Sequence, residues 1–193
     1  SDVITSITIA KPTGTIQNDV MIAAIAINLD RTVTPPSGWT LIRKISNAAG
    51  IYLHTYRKVA GASEPSTYAW TFDLGAVVAG AIQTYYNENT TTPVEVENGQ
   101  TTASGTSHAA PSITTTTDNC MLVTFHAVTG QSDNGFTPPS GMTERCDVAT
   151  PFAVLGLEGN DLLLGAAGAT GAKTATTVAT GDGCCQSIAI KKV

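Results

Sequence analysis

Charge is scarce in this chain. Asp, Glu, Lys and Arg make up 13% of its 193 residues, half the usual ~25% of soluble domains. The ten basic residues form no stripe, and their only adjacent pairs are Arg43–Lys44, Arg57–Lys58 and Lys191–Lys192. Nucleic-acid binding needs a basic face, so no nucleic-acid partner is expected. Long apolar runs are also missing. The most apolar segment, Val20–Leu29, falls well short of the ~20 residues of a membrane-crossing helix, so no membrane partner is expected. The start, SDVITSITIA, has neither the basic segment nor the long apolar stretch of a signal peptide.

Chemistry-bearing motifs are equally sparse. His54, His108 and His126 show no His-x-His spacing and no adjoining carboxylate cluster. Neither a metal nor a cofactor is expected on that pattern. No G-x-S-x-G elbow frames a serine, so no enzyme is expected. The first half holds no cysteine; Cys120, Cys146, Cys184 and Cys185 all fall in the second. Disulfides are therefore not required by anything the halves share. Three states stay open for these thiols: free, bridged within the chain, or cross-linked between subunits. Neighbouring Cys184 and Cys185 should point to opposite strand faces, with at most one in the core.

What the chain has in plenty is Thr, Ser, Ala and Gly, with apolar residues at 42%. β-Branched and small residues with few charges suit strands and tight turns. It also has a repeat. Thr34–Thr40 reads TPPSGWT and Thr137–Thr143 reads TPPSGMT. Upstream, Asn18-Asp19-Val20-Met21 answers Asp118-Asn119-Cys120-Met121, with Cys120 in the place of Val20. Pro-Pro fixes two backbone angles and removes two donors, and Ser-Gly supplies turn geometry. Each phrase reads as a rigid turn that returns Trp39 or Met142 to the core.

The spacing predicts an all-β protein of two tandem, internally duplicated antiparallel β-sandwich units, jelly-roll or Ig-like. The first unit is 1–95, the second 111–193, and 96–110 is a Thr/Ser/Gly-rich linker. First-unit strands are expected at Ile4–Ile9, Val20–Asn28, Thr40–Ser46, Ile51–Val59, Ser66–Phe72 and Val78–Tyr86. Second-unit strands are expected at Ser112–Thr116, Cys120–Val128, Thr143–Val148, Phe152–Leu157, Thr174–Thr180 and Cys185–Lys191. The triplets Asp133–Gly135 and Gly181–Gly183 read as hairpin signals.

Two groups carry binding readings. Trp39, Trp70, Tyr85 and Tyr86 either plug the core or form an outward surface that stacks on sugars or a protein partner. Tyr68, Trp70 and Phe72 share one strand face and should build the first core. Glu95 and Glu97 share another, and read as a solvated edge rather than as a paired-acid site.

The string PPSGWTLIRK…IYLHTYRKVAGASEPSTYAWTF…AGAIQTYYN resembles β-sandwich domains of tailed-bacteriophage virion structural proteins, also seen in secreted bacterial surface proteins. The resemblance spans Thr34–Asn87 and reaches the second unit loosely through TPPSGMTER. It carries no catalytic residues. It implies a head-decoration or tail/fibre protein, made in the host cytoplasm and displayed on the virion surface. Its partners would be its own copies in a homo-oligomer or lattice, and a capsid or tail protein. The alternative is an extracellular carbohydrate-binding or adhesion module with a glycan partner.

Overall fold

The structure, a computed structural model, describes residues 3–193, the side chain of Ala153 excepted. The first half contains β1 (Ile4–Ala10), β2 (Val20–Ile27), β3 (Val33–Thr34), β4 (Thr40–Asn47), β5 (Ile51–Val59), β6 (Thr67–Ala76) and β7 (Val78–Tyr85). The second contains β8 (Val94–Ala110), β9 (Thr114–Thr115), β10 (Met121–Thr129), β11 (Phe136–Thr137), β12 (Thr143–Ala149), β13 (Leu155–Leu163), β14 (Gly168–Ala169) and β15 (Lys173–Ile190). The fold is all-β, and every pairing is antiparallel.

In the first half the order β4-β5-β2-β7 makes an inner sheet and β1-β6-β3 an outer one. The second half repeats this pairing: β12-β13-β10-β15 inside, and β11 against the first part of β15 outside. A bulge between Leu41 and Arg43 opposite β5 has its counterpart between Glu144 and Cys146 opposite β13. Left-handed Asn18 (φ 73°) precedes β2, as Asn119 (φ 57°) precedes β10. That places Cys120 opposite Asp19, one position away from the Val20 match expected from sequence.

The two TPPSG turns close alike. Trp39 N–H donates to the Pro36 carbonyl at 3.3 Å and Met142 N–H to Pro139 at 3.0 Å. Gly38 (φ 84°) and Gly141 (φ 79°) take the left-handed angle that a β-carbon would strain.

Strand β2 explains the packing. All eight of its residues are buried, so its run VMIAAIAI lacks the alternation of a half-exposed strand. Val20, Ile22, Ala24 and Ala26 enter a central core with Val123, Phe125, Leu155, Leu157 and Ile188 of the second half. Met21, Ala23, Ile25 and Ile27 face outward to Trp39, Tyr56, Tyr68, Trp70 and Phe72. The inner sheets thus stack through equivalent faces, and the two halves share one core between two outer layers.

Several expectations are corrected. The supposed linker 96–110 lies within β8, a 17-residue strand hydrogen-bonded along β15. Its Thr, Ser and Gly suit a half-exposed strand as well as they suit a loop. The strands expected at Thr174–Thr180 and Cys185–Lys191 are one strand, β15, which does not turn back at Gly181–Gly183. A β-carbon on Gly181 would collide with the Thr129 carbonyl, so glycine here permits close passage rather than a hairpin. Strand β13 begins at Leu155, because Pro151–Ala153 forms a 3-10 turn with Phe152 at φ 64°.

Candidate functional site: a cleft beside strand β7

Strand β7 lies over β12 and β13, and a cleft of about 460 Å³ opens beside its second half. Ile82, Thr84 and Tyr86 line one wall, and Arg145, Asp161 and Leu163 the other. Strand alternation sends Tyr85 inward, where its hydroxyl donates to Gln83 Oε1 at 2.6 Å. Tyr86, past the strand end, stands 69% exposed at the rim. Lys192 Nζ sits 5.4 Å from its ring centroid and 2.6 Å from Glu88 Oε1.

Arg145 Nε donates to Asp161 Oδ2 at 2.7 Å. That bond raises the guanidinium's pKa above its ordinary value. Burial, then the Asp161 charge, pushes the Tyr85 phenol well above its usual range. Burial also pushes Cys146, next to Arg145 in the chain, up to about 12. Both shifts favour the protonated forms. The cleft presents an exposed aromatic ring, walls that mix apolar Ile82 and Leu163 with polar Thr84, Arg145 and Asp161, and the edge of β7.

The structure separates the candidate aromatics. Trp39 and Trp70 are buried, with ring centroids 5.2 Å apart, and Trp39 meets Tyr68 edge-on at 5.2 Å. They are the plug of the first sandwich, as are Tyr68 and Phe72. Tyr85 is buried as well. The outward-platform reading is corrected for these three, because their strand faces point between layers; Tyr86 alone is presented to solvent.

All four cysteines are free. Cys120 Sγ donates to Glu95 Oε2 at 2.9 Å, and Cys184 Sγ to the Ile51 carbonyl at 3.3 Å. Cys184 and Cys185 are both fully buried, against the expectation that only one would be. Strand β15 is packed on both faces, so both alternations point inside. Burial holds the Cys120 and Cys184 thiols near 12 and raises Cys185 too. The acidic pair is likewise no solvated edge. Glu97 accepts two bonds from Arg43, and Glu95 accepts from Thr116 and Thr117.

A further polar cluster was not singled out from sequence. His126 Nδ1 lies 3.3 Å from Glu158 Oε2, both side chains wholly buried. His126 Nε2 is 3.1 Å from the Lys173 carbonyl. Both Glu158 oxygens and both Asn160 amide atoms lack hydrogen-bond partners. By strand register, Asn160 stands where the first half has Tyr56, and Ala175 where it has Trp70. The second half thus exchanges an aromatic plug for a polar one. The signal was the alternation of polar residues in LEGND and TFHA.

Comparison with family models, curated proteins and solved structures finds no match to this chain.

Proposed function

We propose that this chain is a non-enzymatic structural protein that works through protein–protein surfaces. Its two halves are copies of one folding unit, joined through equivalent faces. Its setting is the virion of a tailed phage, as a capsid decoration or tail/fibre component, as the resemblance of Thr34–Asn87 implies. The observation that carries the reading is the surface. Leu74, Val178, Leu41, Leu163 and Ile16 are half or more exposed, on a chain whose charged residues are few. Exposed apolar side chains and open strand edges of this kind suit lattice or fibre contacts. The partners are further copies of the chain and a capsid or tail protein, and the location is the virion surface.

The glycan-binding reading keeps one platform, Tyr86, where a stacking groove needs several. Sedimentation over a rising concentration series tests the assembly reading. Growth of the sedimentation coefficient is the expected result, and an unchanging monomer contradicts it.

A further inference from the structure

Strands β12 and β13 place four polar side chains in a square on the outer face of the second half's inner sheet. Asp147 stands opposite Glu158, and Glu144 opposite Asn160. Directly paired residues point to the same side of a sheet, so all four share one face. The matching square in the first half is Lys44 opposite His54 and Leu41 opposite Tyr56. One lysine, one histidine and two apolar-bodied residues have given way to three carboxylates and an amide.

Burial makes that exchange costly. Glu158 and Asn160 are wholly inaccessible, yet both oxygens of one and both amide atoms of the other lack hydrogen-bond partners. Asp147 Oδ1 lacks one too, while its Oδ2 accepts from the Phe136 N–H at 3.1 Å. Thr124 and Ser187, on the same sheet face, are satisfied by Met142 Sδ and the Pro111 carbonyl. Buried polar groups are normally paired, and orphans gathered in one place call for an occupant. The charges also crowd one another. Burial raises the Asp147 pKa; the Phe136 bond opposes that rise, and the charges of Glu158 and Asp133 add to it. Burial, then the charges of Glu158 and Asp147, raises Glu144. Arg145 brings no relief, because it bonds Asp161, which lies on the other face of β13.

We propose that Glu158, Asp147 and the Asn160 carbonyl hold a divalent cation of the calcium type, with Glu144 at its entrance. All the donors are oxygens, the set that a hard cation takes. Among the described residues no three His, Cys, Asp or Glu side chains form a metal set by themselves. Asn160 is therefore the necessary third donor. Glu144 is exposed and Asp147 half-buried, so the ion enters from the β12 side, and water completes its shell there. Sequence spacing hides the site, because its donors face each other across two strands. The proposal is independent of the assembly reading.

The test is equilibrium dialysis of the intact chain against calcium chloride, with the thermal midpoint followed alongside. One calcium per chain is expected, and a midpoint about 5 °C higher in millimolar calcium than in chelator. Potassium chloride of equal ionic strength should leave the midpoint unchanged; an equal rise there is charge screening and overturns the proposal. Asp147→Asn, at the half-buried entrance, and Glu158→Gln, which keeps the side chain's shape, should each weaken calcium binding at least tenfold. Asn160→Leu should do the same without lowering the midpoint in chelator, since it removes two unpaired atoms. No calcium bound by the parent chain, or unchanged binding in folded Asp147→Asn protein, overturns the assignment.

Discussion

Arg43 of the first half grips Glu97 of the second with a two-pronged ion pair, Nε to Oε2 at 2.6 Å and Nη2 to Oε1 at 2.9 Å. Gln186 adds a third bond to Glu97 at 2.8 Å. The clasp holds the edge of one inner sheet over the edge of the other. It also raises the Arg43 pKa, chiefly through the bond to Glu97. Both side chains are partly exposed, so the pair is worth less than a buried one. Glu97→Ala should cost about 1–2 kcal/mol, from loss of charge-assisted bonds discounted for solvent. Arg43→Lys should lose much of the same, because an ammonium cannot bind both oxygens in the fork. Urea midpoints check both.

Acid should loosen the molecule in two stages. Burial, then the charge of Lys44, lowers the His54 pKa from 6.5 to about 4. Its unfolded form binds the proton first, so stability should fall as pH drops from 6.5 toward 4. His54→Gln should flatten that part of the curve. At Glu95, burial raises the pKa but is outweighed by bonds from Cys120, Thr116 and Thr117, which bring it from 4.5 to about 2. Its contribution is present above pH 4.5 and is lost as pH falls through 2. Glu95→Gln should therefore differ most from the parent above pH 4.5 and least near 2.

The aromatic plug should be structural and silent to sugars. Trp70 is fully buried, and Trp70→Ala should cost about 3–5 kcal/mol. Tryptophan emission should be blue-shifted in the native chain and unchanged by added glycans. A glycan-dependent shift would restore the platform reading of Trp39 or Trp70.

The second half's polar plug should behave as a unit. Glu158→Ala alone leaves a cavity beside His126, whose Nδ1 already lacks a hydrogen-bond partner, and should cost about 2–5 kcal/mol. Replacing both, His126→Ile with Glu158→Leu, should cost far less than either single change, since it removes the unpartnered polar atoms together and refills the space. A double-mutant cycle in urea reads the difference.

Sequence carried the strand class, the duplicated turn and the first core, because each rests on local rules. Pro-Pro-Ser-Gly has few backbone solutions, and Tyr68, Trp70 and Phe72 alternate at strand period. The rest depended on long-range pairing. A Thr- and Gly-rich stretch is a loop or a strand according to whether a neighbour lies alongside, and β15 supplies that neighbour to β8. Gly181 resembles a turn residue until Thr129 is seen pressed against it. The burial of both Cys184 and Cys185 follows from packing on both faces of β15, which a single strand's pattern does not reveal. The cleft of Tyr86, Arg145 and Leu163 joins residues from both halves, and no motif links them.

The most direct measurement is the native mass by light scattering, with and without reductant. Assembly through noncovalent surfaces predicts a particle many times the 19.8 kDa chain, unchanged by reductant because Cys120, Cys184 and Cys185 are buried. A 19.8 kDa monomer at every concentration would contradict it.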